Sequence, residues 1–502
     1  MTAATALKQE DVHEIRPDLS TLRDLNSSLR ILTCGSVDDG KSTLIGRVLW
    51  DATDLYDDQR EAIGKSKAGD GTHPDFSQLL DGLAAEREQG ITIDIAWRYF
   101  EAGDRRYIII DSPGHEQYTR NMASGASHAD VAIMLVDARH GVKEQTRRHA
   151  AILDLMGLKR VILAVNKMDL VDWSEEKFRE IEEEFFSITK SFEFENPVAI
   201  PVSAVVGDNV AEASQNMPWY GGKTLLAYLE AQSEAVAELT QSFRMPVQMV
   251  IREGQDFRGL AGTVTSGRVA IGDEVADAVS GRTARIKRIA TMDGDLQEAA
   301  VGRAIVMELD TDVDVSRGAI ISSVDDKPMP VTKLAARLVW LGEKPYKATS
   351  QYLLRTATDL VPIDWLQIKT LLDLTTLTPR DKGACEANDI ADVNITLGRA
   401  TALDVFRDHS GTGNFMIVDS VTGASVAGGV AMEVSDHGVV DGIAPFTIAS
   451  DCAFTLTRAL LDEGICRDLV GKTDSGSQAE YQRRAEEVAK LMRAAGVDVC
   501  LE

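Results

Sequence analysis

The stretch Leu29-Arg30-Ile31-Leu32-Thr33-Cys34-Gly35-Ser36-Val37-Asp38-Asp39-Gly40-Lys41-Ser42-Thr43 decides how the first half of the chain folds. Its apolar opening predicts a strand, and the GxxxxGK[ST] string after it predicts a glycine-rich turn that opens a helix. Such a turn gathers backbone N–H groups around an anion, and the helix start adds its positive end. Lys41 can then neutralise β- and γ-phosphate oxygens while the Ser42 hydroxyl coordinates Mg²⁺. A surface lysine in an ordinary turn is the plainer reading, and the strand-then-helix context counts against it. Cys34, on the strand just before the turn, reads as a small buried hydrophobe rather than a redox sensor.

Four further elements follow in chain order. Gly90-Ile91-Thr92-Ile93 puts a threonine in a loop before a strand, where Thr92 can reach the metal and the γ-phosphate. Asp111-Ser112-Pro113-Gly114-His115 ends a strand predicted over Tyr107–Ile110. There Asp111 can hold the metal through water, and the Gly114 N–H can sense the γ-phosphate. Asn166-Lys167-Met168-Asp169 ends the strand Val161–Val165, and Asp169 can accept from the N1–H and exocyclic amine of guanine. Adenine would turn a lone pair toward that carboxylate, which is costly, so this residue selects guanine. Ser203-Ala204, after Val198–Val202, can offer a backbone N–H to the guanine oxygen. Each string is weak alone; in this order, at strand ends, they describe a Mg²⁺–GTP site. The candidate catalytic residues are His115, Lys41 and Thr92, and the metal-binding ones Ser42, Thr92 and Asp111. His115 would orient the attacking water, for which a neutral imidazole suffices; a structural hydrogen bond is its plainer role. No arginine finger can be assigned, and Arg147 and Arg148 read as helix-surface residues.

Residues 1–28 read as a polar leader. From 29 to 241, strands such as Leu29–Cys34, Ile91–Phe100 and Val131–Val136 alternate with helical patterns such as Glu144–Leu155 and Glu175–Phe186. That order predicts an α/β domain with a mostly parallel sheet and helices on both faces. From Phe243 the texture changes to short strands, including Met245–Ile251, Gly262–Arg268 and Ala284–Ile289, separated by Gly-Asp, Ser-Gly and Asp-Gly turns. This predicts a β-barrel over 242–327. Lys327-Pro328-Met329-Pro330 reads as a linker to a second barrel over 331–432. Residues 433–502 read as a short helical tail, with Ala479–Ala495 strongly amphipathic.

Composition removes several function classes. In 502 residues, 79 Asp+Glu outnumber 53 Lys+Arg, and the net charge of −26 argues against a polyanion-binding machine. Apolar runs such as Val131–Val136 are too short to cross a bilayer, and the first twenty residues lack a signal-peptide pattern. Five scattered cysteines (Cys34, Cys385, Cys452, Cys466, Cys500) make neither a disulfide framework nor a zinc site. A cytoplasmic protein is expected. The acidic cluster Glu175–Glu184 has the spacing of a solvated helix face rather than a metal site.

The five motifs and two barrels resemble the translation-factor class of GTPases over roughly residues 29–432. Longer strings resemble one family within it: Gly35–Thr43, Asp81–Asp94, His115–Met122, Gln145–His149 and Asp256–Gly262. These are similar to the large, GTP-hydrolysing subunit of bacterial sulfate adenylyltransferase, the CysN family. The resemblance implies a partner, the small ATP-pyrophosphatase-like subunit CysD, on which ATP and sulfate become adenosine 5′-phosphosulfate and pyrophosphate. GTP hydrolysis would drive that very unfavourable adenylylation, within a heterodimer or higher assembly and without nucleic acid or membrane. It also implies GTP and Mg²⁺ as cofactors, on Gly35–Ser42, Thr92, Asp111–His115 and Asn166–Asp169. An elongation-factor-like GTPase delivering tRNA is the alternative. The acidic charge counts against it, as does Asp39, where that class typically has His or Ser.

The tail is the anomaly. Arg467–Val470 and Arg483–Gly496 resemble an internal piece of adenylylsulfate kinase, which some family members carry fused at this end. The kinase's phosphate loop is missing, because Gly471-Lys472-Thr473 follows Cys466 where the first glycine belongs. No kinase activity is expected, and a degenerate remnant is favoured over a helical docking element.

Overall fold

The computed structural model describes residues 28–52, 74–80, 92, 94–102, 105–232, 241–253, 257–380, 384–435, 454–456 and 499–501. They belong to two compact units, Met1–His437 and Gly438–Glu502.

The first domain is built on six strands: β1 (Leu29–Gly35), β2 (Ala96–Ala102), β3 (Arg105–Asp111), β4 (Val131–Asp137), β5 (Val161–Asn166) and β6 (Val198–Pro201). Their order is β2-β3-β1-β4-β5-β6; all run parallel except β2, which pairs antiparallel with β3 at the edge. Every residue of β4 and β5 is buried, which is why both read as unbroken apolar runs: helices cover both faces. Those helices are α1 (Lys41–Ala52), α2 (Thr119–Ala126), α3 (Glu144–Leu155), α4 (Glu175–Thr189) and α5 (Leu225–Glu230). In α4, the Ser174 hydroxyl caps the Lys177 N–H at 3.2 Å, and Phe178, Ile181, Phe185 and Ile188 bury one stripe. Its glutamates 175, 176, 180, 183 and 184 face solvent, and no metal-ligating cluster occurs among the described residues.

The parallel register sets the position of the site. Thr33 lies beside Asp111, Gly35 beside Leu135, and Asp137 beside Asn166, so the carboxyl ends of β1, β3, β4 and β5 share one edge. The strand expected from Ile91 starts instead at Ala96. Asp94 turns its carboxylate onto the Ile95 N–H at 2.8 Å, and that local bond competes with strand pairing.

Two closed barrels follow. In the first, Glu274–Asp277 pairs with Thr283–Thr291 to complete the ring. The strand expected over Gly262–Arg268 lies at Phe257–Thr263, and a separate one begins at Arg268. Between them Gly267 turns the chain with φ +68°, in a spot where a Cβ would meet the Gln241 carbonyl at 2.5 Å. The second barrel closes where Tyr352–Arg355 pairs with Leu360–Asp373. The stretch expected as a linker already enters its first strand, Met329–Trp340, and its last strand runs to Ser435. Arg244, almost wholly buried, ties the barrels together through Asp404 at 3.0 Å and the Asp326 carbonyl at 2.9 Å. Val339, Ile390 and Val430 of the second barrel share a core with Leu153, Leu155 and Leu158 of the first domain.

In the second unit, the described residues are two short parallel strands, Phe454–Leu456 and Val499–Leu501. The helical reading of Ala479–Ala495, and Gly471-Lys472-Thr473, lie outside the described residues. So do Asp81–Ile91 and Asp256 of the family-like strings. No helix among the described residues is long and apolar enough to cross a membrane.

Candidate functional site

The turn between β1 and α1 is closed around its own backbone. Lys41 is buried and donates to the carbonyls of Gly35 and Ser36, both at 2.9 Å. Burial pulls its ammonium below the usual lysine range, against the upward pull of Asp111 and Asp39 nearby. Gly40 adopts φ +91°, and a Cβ there would stand 2.4 Å from Asn166 Nδ2. A Cβ on Gly114 would meet Lys41 Nζ at 2.4 Å and the Gly35 carbonyl at 2.6 Å. The two glycines therefore let the turn, the Asp111–His115 segment and the Asn166 side chain crowd together. Ser42 and Thr43 follow at the start of α1, half-buried; Val37 is half-buried and Asp38 exposed. Beneath the turn, burial pushes the Cys34 thiol up to about 12, so it stays a protonated core residue.

Asn166 holds the site's two halves together. Its Nδ2 donates to the Asp39 carbonyl at 2.9 Å, and its Oδ1 accepts the Ala204 N–H at 3.1 Å. Lys167 donates to the Asp38 carbonyl and also pairs with Asp137 at 3.1 Å. Asp169 accepts the Ser203 hydroxyl at 2.6 Å, which aims its half-buried carboxylate. The Met168 side chain is fully buried in the core, and its N–H donates to the Val202 carbonyl. The Ser203 and Ala204 N–H groups, expected to meet the guanine oxygen, are engaged by the Asp208 carbonyl and Asn166 Oδ1.

On the other flank, Asp111 and Ser112 are buried; Thr33 Oγ1 reaches Asp111 at 3.5 Å, and the Ser112 hydroxyl donates to the Thr33 carbonyl at 2.7 Å. Pro113 is buried too. His115 is half-buried, and its Nδ1 accepts the Gln117 N–H at 3.2 Å, which leaves the hydrogen of the neutral ring on Nε2. Thr92 is half-buried, and among the described residues it has no hydrogen bond to Ser42, Asp111 or the phosphate turn. The oxygen donors Ser42, Thr92 and Asp111 are of the hard type that Mg²⁺ takes.

Several site residues escaped the sequence reading. Arg148, expected on the helix surface, has a mostly buried side chain that pairs with Glu116 at 3.2 Å and Glu144 at 3.1 Å. Asp137 receives Arg139 at 2.6 Å and Lys167 at 3.1 Å. Burial alone would raise its carboxyl, but those hydrogen bonds outweigh it and hold the group well below the usual carboxylate range. His149 is fully buried under the turn, with no partner for Nδ1 among the described residues and Nε2 2.9 Å from the Gln145 amide. Burial first, then Lys41 and Arg148, lowers its imidazole to about 3. Only the His in Gln145–His149 hinted at it, and helix periodicity alone cannot say that this face lies under the turn.

Residues 26–251 match the family described as elongation factor Tu GTP binding domain, and residues 333–432 the one described as GTP-eEF1A C-terminal domain-like. The chain is 45% identical to sulfate adenylyltransferase subunit 1 of Teredinibacter turnerae, over 81% of this chain and 87% of that protein. It is 40% identical to the bifunctional enzyme NodQ of Rhizobium meliloti, over 97% of this chain and 82% of that protein. Among solved structures, Sup35 complexed with GDP is 22% identical with a TM-score of 0.38, covering 82% of this chain and 95% of that one.

Proposed function

The chain belongs to the sulfate adenylyltransferase subunit 1 family, and from that premise we propose that its GTP hydrolysis drives adenylyl transfer on a separate small subunit. That subunit, of the ATP-pyrophosphatase-like CysD type, would join ATP and sulfate into adenosine 5′-phosphosulfate and pyrophosphate in the cytoplasm. The observation that carries the reading of the site is the Asn166 side chain, which ties the phosphate turn at Asp39 to the segment at Ala204.

In this reading Gly35–Thr43 cradles the phosphates, Lys41 faces the β- and γ-phosphate oxygens, and Asp169 selects guanine. Ser42, Thr92 and Asp111 would hold Mg²⁺, which when bound neutralises charge on the transferring group. Gly114 packs against Lys41, and its N–H would register the γ-phosphate. The Nε2–H of His115 would orient the attacking water. His115→Ala is expected to slow GTP hydrolysis about a hundredfold while GTP binding is retained, since general acid–base and orienting groups contribute on that order; unchanged turnover would remove His115 from the mechanism. The tail carries no kinase activity in this reading, which phosphorylation of adenosine 5′-phosphosulfate by the pure chain would contradict.

The test is GTP turnover by the purified chain with and without the small subunit, ATP and sulfate. A strong rise that needs all three, with adenosine 5′-phosphosulfate formed, supports the motor role. If the partner and its substrates leave GTP turnover unchanged, the role fails.

A further inference from the structure

Asp39 stands inside the phosphate turn, 0% exposed, where a carboxylate is costly unless fully paired. Its Oδ2 accepts the Ser36 N–H at 2.7 Å, and its Oδ1 accepts Lys143 Nζ at 3.1 Å. The carboxylate thus staples the turn across its own width from within, and fastens it to the residue that precedes α3. Lys143 is itself anchored: its N–H donates to Thr146 Oγ1 at 3.2 Å, and its carbonyl accepts the Arg147 N–H. Among the described residues, Lys143 is the one cation that pairs with Asp39.

We propose that the Asp39–Lys143 pair sets how long the turn retains its nucleotide, with Lys143 a positioning residue rather than a phosphate ligand. The proposal rests on reading the turn as a nucleotide cradle. Without Lys143, the buried carboxylate keeps one direct donor, the Ser36 N–H, and a longer-range attraction to Lys41, an ammonium that phosphates arriving at the same turn also claim while adding negative charge. The bound state is penalised more than the empty one, so release quickens. Neutralising Asp39 removes the charge that Lys143 offsets, so the two changes should not compound.

The experiment measures dissociation of a fluorescent GDP analogue from the full chain, chased with excess GDP. Lys143→Met is expected to speed release about tenfold, the middle of the range for directly coupled residues, and Lys143→Arg to restore the parent rate within about twofold. Asp39→Asn keeps an acceptor for the Ser36 N–H; adding Lys143→Met to it should change release by less than about twofold. Release at the parent rate in Lys143→Met, or effects that multiply in the double variant, would overturn the pair's role. Fold is checked independently by the thermal unfolding of each variant, and a Lys143→Arg chain that stays folded yet releases as fast as Lys143→Met also counts against the proposal. If the parent chain holds no guanine nucleotide at all, the reading of the site fails first, a result distinct from an unchanged release rate.

Discussion

At Gly114 even one methyl group has nowhere to go. The nearest atom to its missing Cβ is the flexible tip of Lys41, which could swing aside, but the Gly35 carbonyl at 2.6 Å is backbone and cannot. Gly114→Ala should therefore displace both the lysine and the turn, weakening GTP binding by about tenfold or more, since an overpacked site costs roughly 1–3 kcal/mol. Affinity measured by GTP titration checks this, and an unchanged value would mean that the segment moves freely away from Lys41. His149 makes a different demand. Its folded value of about 3 lies below the ordinary 6.5, so between these the unfolded chain binds a proton that the folded one refuses. The His149 contribution to stability is fully present above pH 6.5 and falls by about 1.4 kcal/mol per pH unit as pH drops toward 3. Comparing urea midpoints near pH 7 and pH 5, the parent should lose about 2 kcal/mol more than His149→Gln. Equal losses in both chains would show that this imidazole takes up its proton in the folded state.

At the scale of elements, shape rather than polar bonding holds the second barrel to the nucleotide domain. Asn388 donates to the Glu116 carbonyl at 3.1 Å and Arg120 to the Leu341 carbonyl at 3.0 Å, both at exposed positions. Gly157, by contrast, has φ +79°, and the Phe406 ring packs 2.6 Å from where a Cβ would stand. Gly157→Ala should cost about 1–3 kcal/mol through strain and displaced packing, against about 1 kcal/mol or less for Asn388→Ala. A denaturant titration that ranked them the other way would reverse this view of the interface. The same contrast explains what could be read in advance. Helix α3 was legible to the residue because its apolar period and its flanking charges are local. The pairing of its Arg148 with Glu116 was not, since Glu116 lies 32 positions away and only the fold brings it near. Lys143 and Asp39 are 104 positions apart, and neither carries a local mark of the other. Where local signals misled, a single side chain was responsible: Asp94 ends the apparent alternation before Ala96.

Across the whole molecule, the net charge of −26 is distributed so that many cations are already quenched. Arg179 pairs with Glu175 and Glu182, Arg288 with Asp295, Arg337 with Asp392 and Arg399 with Asp359. Binding a nucleic acid draws on cations free to displace counterions from phosphates, and side chains committed to carboxylates supply that poorly. On an architecture shared with translation factors, that pairing leads to the prediction that an RNA cargo is not held, a case of one fold serving different functions. Aminoacyl-tRNA mixed with the GTP-loaded chain should pass a filter-retention assay unbound, even at about 50 mM salt, where surface electrostatics are screened least. Low salt makes the test severe, because any weak basic track would show there first. Retention that declines steeply as salt is raised would reveal such a track and revive delivery of RNA as the output of GTP hydrolysis. Absence of retention, beside GTP turnover that responds to a protein partner, places that output on a protein surface instead.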